Sequence, residues 1–78
     1  MPTIETNLTI DAMGLSCPMP LLKAKQGLSK LNRGETLRLL ATDPGSERDI
    51  QAFAKLSDHT LVSHESTDGC YQYIIQKG

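Results

Sequence analysis

The sequence predicts a two-layer α/β sandwich of the α+β class, in the order βαβαββ, with a four-stranded mixed sheet and two helices on one face. Three observations carry this. Period-two and helical hydrophobic patterns alternate along the chain. The pair Asp68-Gly69 leaves the last two strands only a hairpin connection. A chain of 78 residues with 38% hydrophobic side chains suffices for one thin core, so residues 1–78 are read as a single domain.

Leu8, Ile10 and Ala12 alternate with Thr9 and Asp11, the pattern of a half-buried strand ending near Met13 and Gly14. After Pro20, Leu21, Ala24, Leu28 and Leu31 recur at intervals of three and four, which marks an amphipathic helix. Asn32 and Gly34 are residues that favour its C-terminal end. Gly27 lies inside at a cost of about 1 kcal/mol relative to alanine, and is either a tolerated defect or a point of close approach to the sheet. Leu37, Leu39 and Ala41 repeat the strand pattern. Asp43 then reads as an N-cap with Pro44 at the first helical position, and Ser46 with Asp49 matches a capping box. Ile50, Phe53 and Ala54 give the buried face of a second helix ending near Ser57 and Asp58. Residues 61–67 and 71–76 read as the two hairpin strands.

The net charge of −1 argues against a general nucleic-acid binder, but the charge is uneven. Residues 18–33 carry Lys23, Lys25, Lys30 and Arg33 and no acid, while the rest holds four basic and nine acidic residues, so +4 faces −5. That basic segment is either a solvated helix face or a docking surface. Residues 1–6 have neither the basic nor the apolar region of a leader, and no stretch approaches the ~20 apolar residues of a membrane span. The expectation is a cytoplasmic protein without membrane contact, whose Cys17 and Cys70 are thiols.

Cys17, Pro18, Met19 and Pro20 place one thiol between the first strand and the first helix. Unpaired N–H groups at a helix start favour an anion, so Cys17 is expected to ionise below the ordinary ~8.5. Pro18 and Pro20 stiffen the turn without removing helix hydrogen bonds. Each also disfavours helical angles in the residue before it, which allows a helix start as late as Pro20.

Proline at position 20 excludes a thioredoxin-like C-x-x-C, and Lys23 stands where a C-x5-R phosphatase loop needs arginine. A papain-like nucleophile needs a histidine base and a cleft, for which so short a chain leaves little room. Cys17, His59, His64 and Cys70 are too scattered for a zinc site, and no metal or cofactor is expected. What remains is reversible carriage: a thiolate that attacks a sulfane sulfur becomes a persulfide, and it surrenders the outer sulfur to the next thiol. Such transfer needs exposure and docking more than a pocket.

These residues resemble the TusA/SirA-like sulfur-carrier family. The resemblance runs from about Leu8 to the C-terminus. It rests on residues 11–14 leading to Cys17, Pro18, Met19 and Pro20, on the helix with Lys23, on Thr42, Asp43 and Pro44, on Asp49, Ile50 and Phe53, and on the final strand. It implies the same two-layer sandwich and a cytoplasmic sulfurtransferase in which Cys17 accepts sulfur from a cysteine desulfurase and relays it to an acceptor protein, for example toward tRNA thiolation. Cys17 is the one catalytic residue carried over, with Pro18, Pro20, Lys23 and Asp43 in supporting positions. The chain departs from the pattern in having Ser57 and Asp58 before His59, and in Cys70. Two rival readings stay open: a non-catalytic protein- or RNA-binding regulatory module acting through the basic helix, and a redox switch that joins Cys17 to Cys70.

Overall fold

The computed structural model describes residues 6–78; residues 1–5, most of the stretch read as lacking a leader, lie outside the described residues. The elements are β1 (Leu8–Ala12), α1 (Met19–Leu28), β2 (Thr36–Ala41), α2 (Gly45–Leu56), β3 (Thr60–Thr67) and β4 (Cys70–Gln76). They form one four-stranded sheet in the order β1-β2-β4-β3. β1 and β2 are parallel, whereas β4 runs antiparallel to both β2 and β3. The mixed sheet and the element order are those the sequence predicts.

The connections explain the order. Parallel neighbours need a crossover, and α1 supplies it between β1 and β2. α2 then carries the chain beyond the next position in the sheet, and β4 folds back into that position. The return is the turn at Asp68 (φ 51) and Gly69 (φ 80), whose paired left-handed residues suit a two-residue hairpin. Central placement accounts for the buried run Tyr73, Ile74 and Ile75.

One core joins the layers. Leu37, Leu39 and Ala41 of β2 point inward beside Ile75, Tyr73 and Tyr71 of β4, and Ala24 and Leu28 of α1 and Ile50 of α2 close over them. The register slips between Leu61 and Ser63, and Val62 is left exposed at this irregularity of the edge strand β3. Gly27 is a point of close approach: a Cβ there would lie 2.5 Å from Leu37 Cδ1 and 3.2 Å from Ile10 Cγ1. α1 ends at Leu28, earlier than the pattern reaching Leu31 predicts. Beyond it, N–H groups bond three residues back (Lys30 to Gly27, Leu31 to Leu28), and the Lys77 ammonium donates to the Leu28 carbonyl at 2.7 Å. A cation at a helix C-terminus satisfies orphan carbonyls. Among the described residues, no helix is long and apolar enough to cross a membrane.

Candidate functional site

Both strand-to-helix turns lie at the same end of the parallel pair β1 and β2, and Cys17 sits where they meet. The Met19 N–H donates to the Ser16 carbonyl at 2.9 Å, which closes a turn around Cys17 and Pro18. Pro18 is the N-cap of α1, Met19 and Pro20 begin the helix, and Pro20 is buried. The Cys17–Pro18 peptide is cis.

The second turn holds the cysteine from the other side. The Cys17 N–H donates to Asp43 Oδ2 at 3.3 Å, and the Gly14 N–H donates to Thr42 Oγ1 at 2.9 Å. Gly45 makes this approach possible, since a Cβ there would lie 2.9 Å from Asp43 Oδ2 and 3.5 Å from Cys17 Cβ. The thiol itself donates to Asp49 Oδ2 on the next turn of α2. Cys17 is thus exposed, with its backbone on Asp43 and its sulfur on Asp49.

Three expectations change here. Asp43 does not cap α2 with its side chain; its carboxylate is turned to the Cys17 N–H instead. Ser46 and Asp49 form no capping box, because the Ser46 hydroxyl is buried against Tyr73 Oη at 2.8 Å and Asp49 faces the thiol. The Cys17 thiol is raised, not lowered, from its ordinary pKa. The hydrogen bond to Asp49 is the largest cause, followed by desolvation and the charges of Asp49 and Asp43, with Arg48 opposing. Cys17 lies ahead of the N-cap, so the helix dipole acts weakly while two acids act at close range.

Lys23 is half-buried on α1, and the charges acting on the thiol are Asp49, Asp43 and Arg48 rather than this lysine. Lys25 reaches over the Phe53 ring, 5.6 Å from its centroid, and Phe53 lies 5.5 Å from the His59 ring. Between the helices runs a groove of about 410 Å³ that includes Leu21, Lys25, Asp49, Phe53 and Leu56. Leu56 is 88% exposed at its rim, and Met19 and Leu22 stand exposed on the first turns of α1.

Cys70 takes another partner. Its sulfur lies 3.8 Å from Met13 Sδ, and strand alternation from the core residue Tyr71 puts it on the sheet face away from the helices. Both cysteines are free thiols, Cys17 in the turn between β1 and α1 against Asp49 and Cys70 at the start of β4 beside Met13. Among the described residues, no three His, Cys, Asp or Glu side chains cluster as a metal site. Asp49 and Gly45 are the site members that sequence reasoning missed. A carboxylate one turn into the helix after the second turn was the available signal.

The family model described as sulfurtransferase TusA matches residues 8–77. The crystal structure of a SirA-like protein from Desulfitobacterium hafniense is similar in fold, with a TM-score of 0.79 and 29% identity over 91% of this chain and 97% of that one.

Proposed function

The chain belongs to the TusA sulfurtransferase family, and from that membership we propose that Cys17 is the atom on which it carries sulfane sulfur. The observation that carries this reading is an exposed thiol, backbone-anchored by Asp43, at the meeting point of two strand-to-helix turns. In the reaction the Cys17 sulfur attacks the outer sulfur of a donor persulfide, R–S–SH. The donor's S–S bond breaks as the Cys17 S–S bond forms. The Cys17 proton ends on the leaving R–S⁻, giving Cys17–S–SH and R–SH with no external oxidant. A second displacement by an acceptor thiol restores Cys17.

The donor in this reading is a cysteine desulfurase, and the acceptor is a relay protein in a route such as tRNA thiolation. Pro18 and Pro20 stiffen the turn, while Lys23 and the neighbouring basic residues of α1 draw acidic partners. The open groove beside Asp49, with Leu56 at its rim, supports protein–protein transfer over catalysis in an enclosed pocket. The setting in this reading is the cytoplasm, whose reducing conditions keep thiols available for persulfide exchange. No cofactor enters these steps.

The test is intact-protein mass spectrometry after incubation with a cysteine desulfurase and cysteine, without reductant. Wild type and Cys70→Ser gain one sulfur mass, and Cys17→Ser does not. Uptake by Cys17→Ser, or no uptake by wild type from several desulfurases, would overturn the reading. In the second case, the exposed groove and basic helix favour the regulatory binding module, and reversing Lys23 and Lys25 would then abolish partner binding.

A further inference from the structure

Cys17 Sγ can donate a hydrogen bond only while it carries a proton, and in this fold that proton is directed at Asp49 Oδ2. Loading takes the proton away. Once the inner sulfur bonds to the sulfane sulfur, its S–H is gone and the proton has left on the donor's thiol. The new terminal sulfur lies about 2 Å further out. A persulfide is a stronger acid than the parent thiol, so at neutral pH this sulfur is largely anionic. The carboxylate that accepted from the thiol now faces a like charge.

We propose that Asp49 is a positioning residue that latches the empty Cys17 thiol against α2 and releases the sulfur once it is loaded. The inference rests on the persulfide reading above. It makes the carrier present its sulfur outward only when there is sulfur to deliver.

The surrounding geometry suits a side-chain latch. The Cys17 backbone is held by the 3.3 Å bond to Asp43 Oδ2, so release needs only the side chain to turn. Asp49 is half-buried and Cys17 is exposed, so turning away from the carboxylate takes the sulfur into solvent. The charged groups acting on the thiol are Asp49 and Arg48 of α2 and Asp43 of the preceding turn. Both acids hold it protonated, the hydrogen bond to Asp49 first, and Arg48 works against them.

The experiment measures iodoacetamide alkylation of Cys17 at pH ~7.5 in the full chain carrying Cys70→Ser, empty or loaded with inorganic polysulfide. In the parent chain the loaded form reacts faster than the empty form by about tenfold or more. Asp49→Asn accelerates the empty thiol severalfold and leaves the loaded form within about twofold, which narrows the gap. An unchanged empty-thiol rate in Asp49→Asn would overturn the latch, as would equal acceleration of empty and loaded forms by that variant. Polysulfide loading separates the two ideas: missing uptake from a desulfurase counts against the carrier, and these rates judge Asp49.

Discussion

At Cys17 the sign of every nearby charge is known, so the pH behaviour of the thiol can be worked out. The folded thiol is raised, chiefly by its hydrogen bond to Asp49, so the native state favours the protonated form. That preference is fully present below the ordinary cysteine value of ~8.5 and is lost as pH rises through the higher folded value. Alkylation of Cys17 in the native chain will therefore reach its midpoint at a higher pH than in the same chain unfolded in urea; a lower native midpoint would refute the site electrostatics. Asp43→Asn will lower the midpoint by less than Asp49→Asn, because Asp43 acts through charge alone while Asp49 also accepts the thiol hydrogen bond. Parallel pH profiles of the three proteins check this order. The cysteine turn was legible in the sequence because a proline-started helix after a strand is a local pattern. The role of Asp49 was not, since it acts on a residue 32 positions away. Local spacing pointed to its cap-like relation to Ser46, and packing turned Ser46 inward to Tyr73 instead.

The two helices meet the sheet in different ways, and each contact can be tested. α1 lies so close that Gly27 has no room for a methyl group: the added carbon would stand 2.5 Å from Leu37 Cδ1, on a fully buried side chain. Alanine improves helix propensity by about 1 kcal/mol, but overpacking a core costs typically ~1–3 kcal/mol, so the packing term wins. Gly27→Ala will lower the urea midpoint, and a raised midpoint would mean that α1 can lift away freely. α2 is pinned by the Ser46–Tyr73 hydroxyl pair at 2.8 Å. A double-mutant cycle of Ser46→Ala and Tyr73→Phe will return a coupling of about 1 kcal/mol, with additive losses arguing against the bond. The elements themselves were legible because periods of two and of three to four repeat cleanly, and Asp68-Gly69 admits only a hairpin. Strand order was harder to read, because periodicity reports faces rather than neighbours. Tyr73, Ile74 and Ile75 held the clue, since an unbroken apolar run marks a strand flanked on both sides.

For the molecule as a whole, Tyr73 ties the alkaline limit of stability to the joint between its layers. The side chain is 1% exposed, it belongs to β4 at the centre of the sheet, and its hydroxyl meets Ser46 of α2. Burial raises its pKa above the ordinary tyrosine value, with the Ser46 hydrogen bond partly offsetting the rise. The folded protein therefore holds the Tyr73 proton in a range where the unfolded chain has released it. The resulting stabilisation is complete below about 10, the ordinary tyrosine pKa, and fades as pH climbs through the raised folded value. Tyr73→Phe has no such proton to hold. At neutral pH that variant loses about 1 kcal/mol, because the buried Ser46 hydroxyl is left without its partner. As pH rises past about 10 the wild type falls toward the variant, since only the wild type must keep a phenol neutral inside its core. Urea midpoints of the two proteins will thus converge in alkali; curves that stay parallel to pH ~11 would show that the layers are joined without dependence on the Tyr73 proton.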